Sequence, residues 1–199
     1  MSNKYQIAVL GGGPGGYVAV IRAAQLGFKT VVIDKDNLGG ICLNWGCIPT
    51  KSLLKNAEIF DNIKNHGKDF GLHTDNLTFN FNEIIKRSRD ISDKITRNVE
   101  MLIKKNKVDR IRGFGKLISQ NEIEILDNDG KKTETITADN IIIATGARPK
   151  TLPNIPVDRK NIITSTEAMF LSEQPKELII IGAGAIGIEF AYFYSVLGT

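Results

Sequence analysis

The two cysteines of this 199-residue chain, Cys42 and Cys47, stand five positions apart, between Gly39-Gly40 and Pro49-Thr50-Lys51. A continuous helix would hold the Cα atoms of residues five apart roughly 8 to 9 Å from each other. That exceeds the roughly 7 Å beyond which two cysteines cannot bridge without backbone movement. A disulfide between them requires the segment to turn, and its glycines permit a turn. Pro49 suits the start of a helix, so Cys47 is expected at a helix N-terminus, where aligned peptide dipoles favour a thiolate. This is how a reactive, reversible dithiol is built. Two other readings stay open: two inert thiols, or half of a zinc site. Zinc needs further Cys or His ligands at suitable spacing, and the two histidines, His66 and His73, fall in or near a polar loop. Lys51, one turn past Cys47, reads by itself as a solvated lysine.

Two glycine-rich turns carry the other chemistry. Gly11, Gly13 and Gly16 spell G-x-G-x-x-G, with Pro14 and Gly15 inside the motif. An apolar run at 6–10 precedes the turn, a helical pattern stopped by Gly27 follows it, and a β-branched run at 30–33 ends at Asp34. Strand, turn, helix, strand and acid in that order predict a βαβ unit that holds a dinucleotide. The backbone and helix N-terminus would take the pyrophosphate, and Asp34 the ribose hydroxyls. A carboxylate at Asp34 repels a 2′-phosphate, so the nucleotide should lack one. The bland alternative is a set of glycines serving only a tight turn.

Residues 177–199 repeat this opening: an apolar stretch, then Gly182, Gly184, Ile186 and Gly187, then a helical pattern stopped by Gly198. Sixteen residues separate the first glycine from the helix-ending glycine in both copies, Gly11 to Gly27 and Gly182 to Gly198. A second dinucleotide turn is expected. The counterpart of Asp34 would fall six residues past Thr199, so the chain reads as a piece of a longer protein. The alternative is a natural protein ending in a docked helix. Glu189 is either a surface carboxylate or a site residue working with Lys51.

The elements that must position these groups follow from periodicity. Residues 48–66 and 80–107 predict two helices, the second long. The stretches 108–126, with Gly113 and Gly115, and 133–138 alternate like an antiparallel meander. Residues 140–144 read as a buried strand ending in Thr145-Gly146, and 147–176, holding Pro149, Pro153, Pro156 and Pro175, as a linker. The apolar fraction of 42% and charged fraction of 24% suit a globular protein. No apolar run is long enough to span a membrane, and the polar start does not fit a signal peptide. Two cysteines in a chain of this length suit a reducing compartment better than a secreted disulfide framework. The net charge is +4, and Lys104, Lys105 and Lys107 read as a solvated helix end rather than a nucleic-acid site.

Taken together these residues resemble the pyridine nucleotide-disulfide oxidoreductases, the flavoprotein family of dihydrolipoyl, glutathione and mercuric reductases. The resemblance covers all 199 residues and is most specific from Gly39 to Lys51. Leu43 and Ile48 stand where the glutathione and mercuric branches usually carry Val, so the segment is most similar to the dihydrolipoyl branch. The fold implied is α/β: a Rossmann-like three-layer FAD-binding domain with an antiparallel β-meander (1–148), a linker (149–175), and the start of a second Rossmann-like, NAD-binding domain (176–199).

The resemblance also implies roles. Gly11, Gly13, Pro14, Gly15, Gly16, Asp34, Lys35, Gly40, Cys42, Lys51, Gly115, Thr145 and Gly146 would contact FAD. Gly182, Gly184, Ile186 and Gly187 would contact NAD, with Glu189 pairing Lys51 beside the nicotinamide. Cys42 would be the interchange thiol, and Cys47 the thiol facing the flavin. Electrons would pass from dihydrolipoamide through this pair and FAD to NAD. The implied partners are the lipoyl domain of 2-oxo acid dehydrogenase complexes and a second copy in a homodimer. The implied location is cytoplasmic, without nucleic acid or membrane. The family's acid–base histidine belongs to a C-terminal dimerisation domain, and neither His66 nor His73 matches it. The 199 residues alone are therefore expected to be inactive.

Overall fold

The computed structural model describes residues 4–199. The opening apolar run forms the strand Lys4–Leu10 (β1), and Pro14–Gln25 forms the first helix (α1). Proline is accepted there because the first helical N–H groups have no intrahelical partner. Leu26 caps α1, and Gly27, at φ +91°, turns the chain out of it. Thr30–Asp34 (β2) lies parallel to β1, with Ile7 opposite Thr30 and Leu10 opposite Ile33. α1 packs on both strands, and the βαβ unit stands as expected.

Four more strands follow: Asp109–Arg112 (β3), Phe114–Leu117 (β4), Glu122–Leu126 (β5) and Lys132–Ile143 (β6). All six form one sheet in the order β3-β2-β1-β6-β5-β4. The meander expected over 108–126 is corrected in its first part. β3 is parallel to β2, with Val31 opposite Asp109, and only β4 to β6 run antiparallel. Alternation reveals a strand but not the direction of its partner. Here a helix precedes β3, and a strand reached by a helical crossover returns parallel. The separate strands expected at 133–138 and 140–144 are one strand. β6 pairs antiparallel with β5 along its first part, and parallel with β1 from Thr137 to Ile143. Asp139 and Asn140 resemble a break in the sequence, but both face solvent, and Asp139 pairs with Lys4 at 3.4 Å.

Five further helices are Gly40–Trp45 (α2), Cys47–His66 (α3), Phe81–Lys105 (α4), Ser165–Ala168 (α5) and Ala185–Val196 (α6). The helices expected at 48–66 and 80–107 are α3 and α4. The chain divides into two compact units. The first holds residues up to Asn44 with Asp93–Arg148, and the second holds Trp45–Ser92 with Pro149–Thr199. Isoleucines and valines of the sheet core the first unit, with Ala8, Val31, Ile123 and Ile125 fully buried.

The second unit closes over Leu53 and Ala57 of α3, Phe81 and Ile85 of α4, Met169, and Phe190, Phe193 and Tyr194 of α6. The Tyr194 hydroxyl donates to the Ala168 carbonyl at 2.6 Å, and burial pushes its phenol above the ordinary tyrosine range. A capping box of Thr164 and Glu167 starts α5. Burial would raise the Glu167 carboxyl, but hydrogen bonds from the Thr164 hydroxyl and N–H outweigh it and hold the group below its usual value.

The strand expected before the second glycine turn is absent: residues 177–183 carry no strand hydrogen bonding, and Ile179 is 89% exposed. A strand needs a neighbour to complete its ladder. Among the described residues none lies beside this segment.

The burial contrast sets one prediction. Ile123→Ala removes a fully buried side chain, and should cost about 2 to 5 kcal/mol in urea titrations followed by circular dichroism. Ile179→Ala should stay within about 0.5 kcal/mol of the parent. Equal effects would mean that Ile123 is not a core residue.

Candidate functional site

In the first unit the site starts where β1 runs into α1. Gly11 has φ +100°, which a side chain rarely tolerates, and its N–H donates to the Ile33 carbonyl at 2.8 Å. A Cβ on Gly16 would collide with the Gly11 carbonyl oxygen, and one on Gly11 with Ala144. Gly13 is the N-cap of α1, in extended conformation with no side-chain cap. Pro14 and Gly15 are exposed in the first turn of α1. The helix thus opens with bare backbone donors at its positive end, which suits an anion.

Asp34 closes β2 beside this turn. Its Oδ2 accepts the Gly12 N–H at 2.5 Å, and its Oδ1 accepts the Asp36 N–H at 2.9 Å. A carboxylate offers about four lone-pair sites, so acceptor capacity remains for ribose hydroxyls. The Gly39 N–H donates to the Gly12 carbonyl at 2.7 Å, and Gly39 and Gly40 have φ +95° and +54°. A Cβ on Gly40 would meet Gly13 Cα at 2.7 Å. Gly115 of β4 offers no room either, since a Cβ there would meet Leu10 and Ile33. Thr145 follows β6, and its Cα would lie 3.0 Å from a Cβ on Gly11.

So Gly11, Gly13, Gly16, Asp34, Gly40, Gly115 and Thr145 gather at the carboxyl ends of β1, β2 and β6 and beside β4. Gly146, at φ +74°, and Lys35 are exposed, and nothing crowds the Cβ position of Gly146. A cradle of missing side chains at a helix N-terminus, with an acid alongside, fits the adenosine diphosphate part of a dinucleotide. Cys42 sits half-buried on α2, just past this turn.

The second unit holds the other half of the candidate set. Gly46 is the N-cap of α3, at φ −153° and ψ −111°, and its carbonyl accepts the Thr50 N–H at 3.0 Å. Cys47 is the first residue of α3, exposed and a free thiol. Pro49 is the third residue, so the helix begins two residues before the proline. Lys51, one turn on, pairs with Glu189 of α6. The side chains are 60% and 28% exposed, and such a pair contributes at most about 1 kcal/mol. Its value is positional: it ties the cysteine-bearing end of α3 to the helix that follows the second glycine turn.

That turn repeats the first with an offset of 171 residues. Gly182 has φ +114° where Gly11 has +100°. Gly184 caps α6 as Gly13 caps α1, and both helices run 12 residues. A Cβ on Gly187 would collide with the Gly182 carbonyl. Leu197 and Gly198 close α6 as Leu26 and Gly27 close α1. Ile186 is 58% exposed at the start of α6.

Three residues of this neighbourhood lie inside the motifs read from the sequence but were given no role there: Gly12, Gly39 and Asn44. Gly12 and Gly39 meet through a backbone bond between residues 27 apart, which no local pattern encodes. Asn44 did carry a signal, as a polar residue in an apolar, helix-forming stretch; it is buried at 6% exposure.

The sequence profile of the pyridine nucleotide-disulphide oxidoreductases matches residues 5–199. Among curated relatives, the dihydrolipoyl dehydrogenase of Chlorobaculum parvum is 44% identical over 198 residues, covering 100% of this chain and 42% of the relative. That of Rhizobium etli is 47% identical over 213 residues, covering 100% of this chain and 44% of the relative. The chain therefore spans less than half the length of these relatives. Among solved structures, the HOCl-induced flavoprotein disulfide reductase RclA from Escherichia coli, in its Cu(II) complex, aligns with a TM-score of 0.84 at 26% identity. It covers 99% of this chain and 41% of its own.

The cradle geometry separates two conservative substitutions. Gly16→Ala should weaken dinucleotide retention at least ~10-fold, more than about 1.4 kcal/mol. Gly15→Ala, whose Cβ meets only Ala144 at 3.9 Å, should retain the parent amount. Dinucleotide released on denaturation and counted per protein decides. Equal retention would show that the Gly11–Gly16 approach is not what shapes the site.

Proposed function

This chain belongs to the pyridine nucleotide-disulphide oxidoreductase family, and on that premise we propose that the whole protein is a dihydrolipoyl dehydrogenase, oxidising dihydrolipoyl groups with Cys42 and Cys47, FAD and NAD. The carrying observation is the segment from Gly39 to Lys51. It breaks into two helices at Gly46, with Cys42 on the first and Cys47 opening the second. A helix-breaking residue between the cysteines supplies the turn that a reversible bridge needs.

The chemistry balances with these two sulfurs. In the oxidised pair, a substrate thiolate attacks Cys42, forming a mixed disulfide and releasing Cys47 as thiolate. The second substrate thiol displaces Cys42, which takes up that thiol's proton as it leaves, and a cyclic lipoyl disulfide forms. Two electrons then reside on the cysteine pair. When bound, FAD would supply a two-electron relay between this pair and NAD, with its adenosine diphosphate held by the first glycine turn and NAD by the second. The chain's own residues do the holding: Gly11 to Gly16 receive the pyrophosphate, and Asp34 the ribose hydroxyls. The Lys51–Glu189 pair fixes its part of the nicotinamide side.

The relatives named dihydrolipoyl dehydrogenase support the substrate assignment, as do Leu43 and Ile48. On the same reading the partners are the lipoyl domain of a 2-oxo acid dehydrogenase complex and a second copy of the protein. The location is the cytoplasm, where a reducing environment suits an exchanging dithiol. Among the described residues no helix is long and apolar enough to cross a membrane.

Full-length protein should reduce NAD with dihydrolipoamide, and preference for glutathione disulfide or mercuric ion would move it to another branch. After dithionite reduction, a long-wavelength charge-transfer band should appear and be lost in Cys47→Ser. A band that survives the substitution assigns the flavin-facing role elsewhere.

A further inference from the structure

Cys42 rides on α2, which is six residues long. A helix so short is not stable by itself in water, so its orientation must come from outside it. Asn44, two residues after Cys42 and only 6% exposed, supplies the tie. Its Nδ2 donates to the Leu38 carbonyl at 3.0 Å and to the Gly40 carbonyl at 2.9 Å. Its Oδ1 accepts the Thr96 hydroxyl at 3.2 Å. Thr96 is itself 7% exposed, on α4, and 52 residues away in sequence.

The two carbonyls flank Gly39, whose N–H is bonded to the Gly12 carbonyl. One carboxamide therefore joins the turn against the nucleotide cradle, the first residue of α2, and the middle of α4. A leucine at position 44 could fill the space but would hold none of the three. Burying an amide is unfavourable unless it is hydrogen-bonded, so the amide here has a positional rather than a packing reason.

We propose that Asn44 and Thr96 are positioning residues for the Cys42 thiol, clamping α2 in register with the first glycine turn. The inference rests on the dithiol reading of Cys42 and Cys47 and adds residues that act through the backbone that carries the thiol. When the clamp is released, α2 frays. Cys42 then becomes more accessible to a small reagent but is less well placed for exchange with a bound substrate.

The test uses reduced full-length protein alkylated with iodoacetamide across a pH series, with Cys42 and Cys47 followed separately by peptide mass spectrometry. Thr96→Val keeps the shape and removes the hydroxyl. It should speed Cys42 alkylation about fivefold, the population change expected from losing one neutral hydrogen bond. Cys47 should keep its rate and pH profile. Dihydrolipoamide turnover should fall in kcat with KM unchanged, and Thr96→Ser should restore the parent values. Should Thr96→Val fail to fold, Thr96→Ala carries the same test.

An unchanged Cys42 rate and profile overturns the proposal. So does equal acceleration of both cysteines, which would mean general loosening. Absence of dithiol turnover in the parent protein would instead sink the dithiol reading, and the alkylation rates would still judge the clamp.

Discussion

The close approach of Gly16 to the Gly11 carbonyl governs how the first unit is assembled. With no Cβ at either position, α1 starts within a few residues of the end of β1. Everything nearby is placed relative to that junction. Asp34 reaches the Gly12 N–H from β2, Gly39 reaches the Gly12 carbonyl, and α2 with Cys42 follows within three residues. A single added methyl group at Gly16 disturbs this whole set. The cost is steric and local, at the junction from which Asp34, Gly39 and α2 are placed.

The second unit repeats the same backbone solution at Gly182 and Gly187, and adds a helix-start cysteine. Three helices, α1, α3 and α6, begin on a glycine cap without a side-chain partner. A Ser or Asp cap would normally be favoured, because it satisfies one of the bare N–H groups. Leaving the caps without a side chain gives up that stabilisation and leaves the helix end free of a competing side-chain acceptor. Two glycine turns and Cys47 stand at the same kind of helix end.

Much of this was legible in the residues. Glycine spacing, strand periodicity and Asp34 together specify the βαβ unit, because each follows from local backbone requirements. The helices α3 and α4 were legible within two residues at each end for the same reason. What escaped depends on partners distant in sequence. The direction of β3 is set by its crossover, and β6 is continuous because it borders both β5 and β1. The apolar stretch at 178–181 meets the composition of a strand but has no neighbour among the described residues. α2 and the Asn44–Thr96 bond needed α4 in place before either could be seen. The resemblance carried the roles of Cys42 and Cys47 further than spacing could.

The proposed function requires Cys42 and Cys47 to cycle as a pair in exchange with a dithiol substrate. Full-length protein, purified in air, should resist alkylation at both cysteines while denatured without reductant. After one equivalent of dihydrolipoamide under anaerobic conditions, both should alkylate, and adding excess NAD before the alkylating reagent should close the pair again. Alkylation of both before any substrate, or of neither after it, would contradict the redox pairing of Cys42 and Cys47.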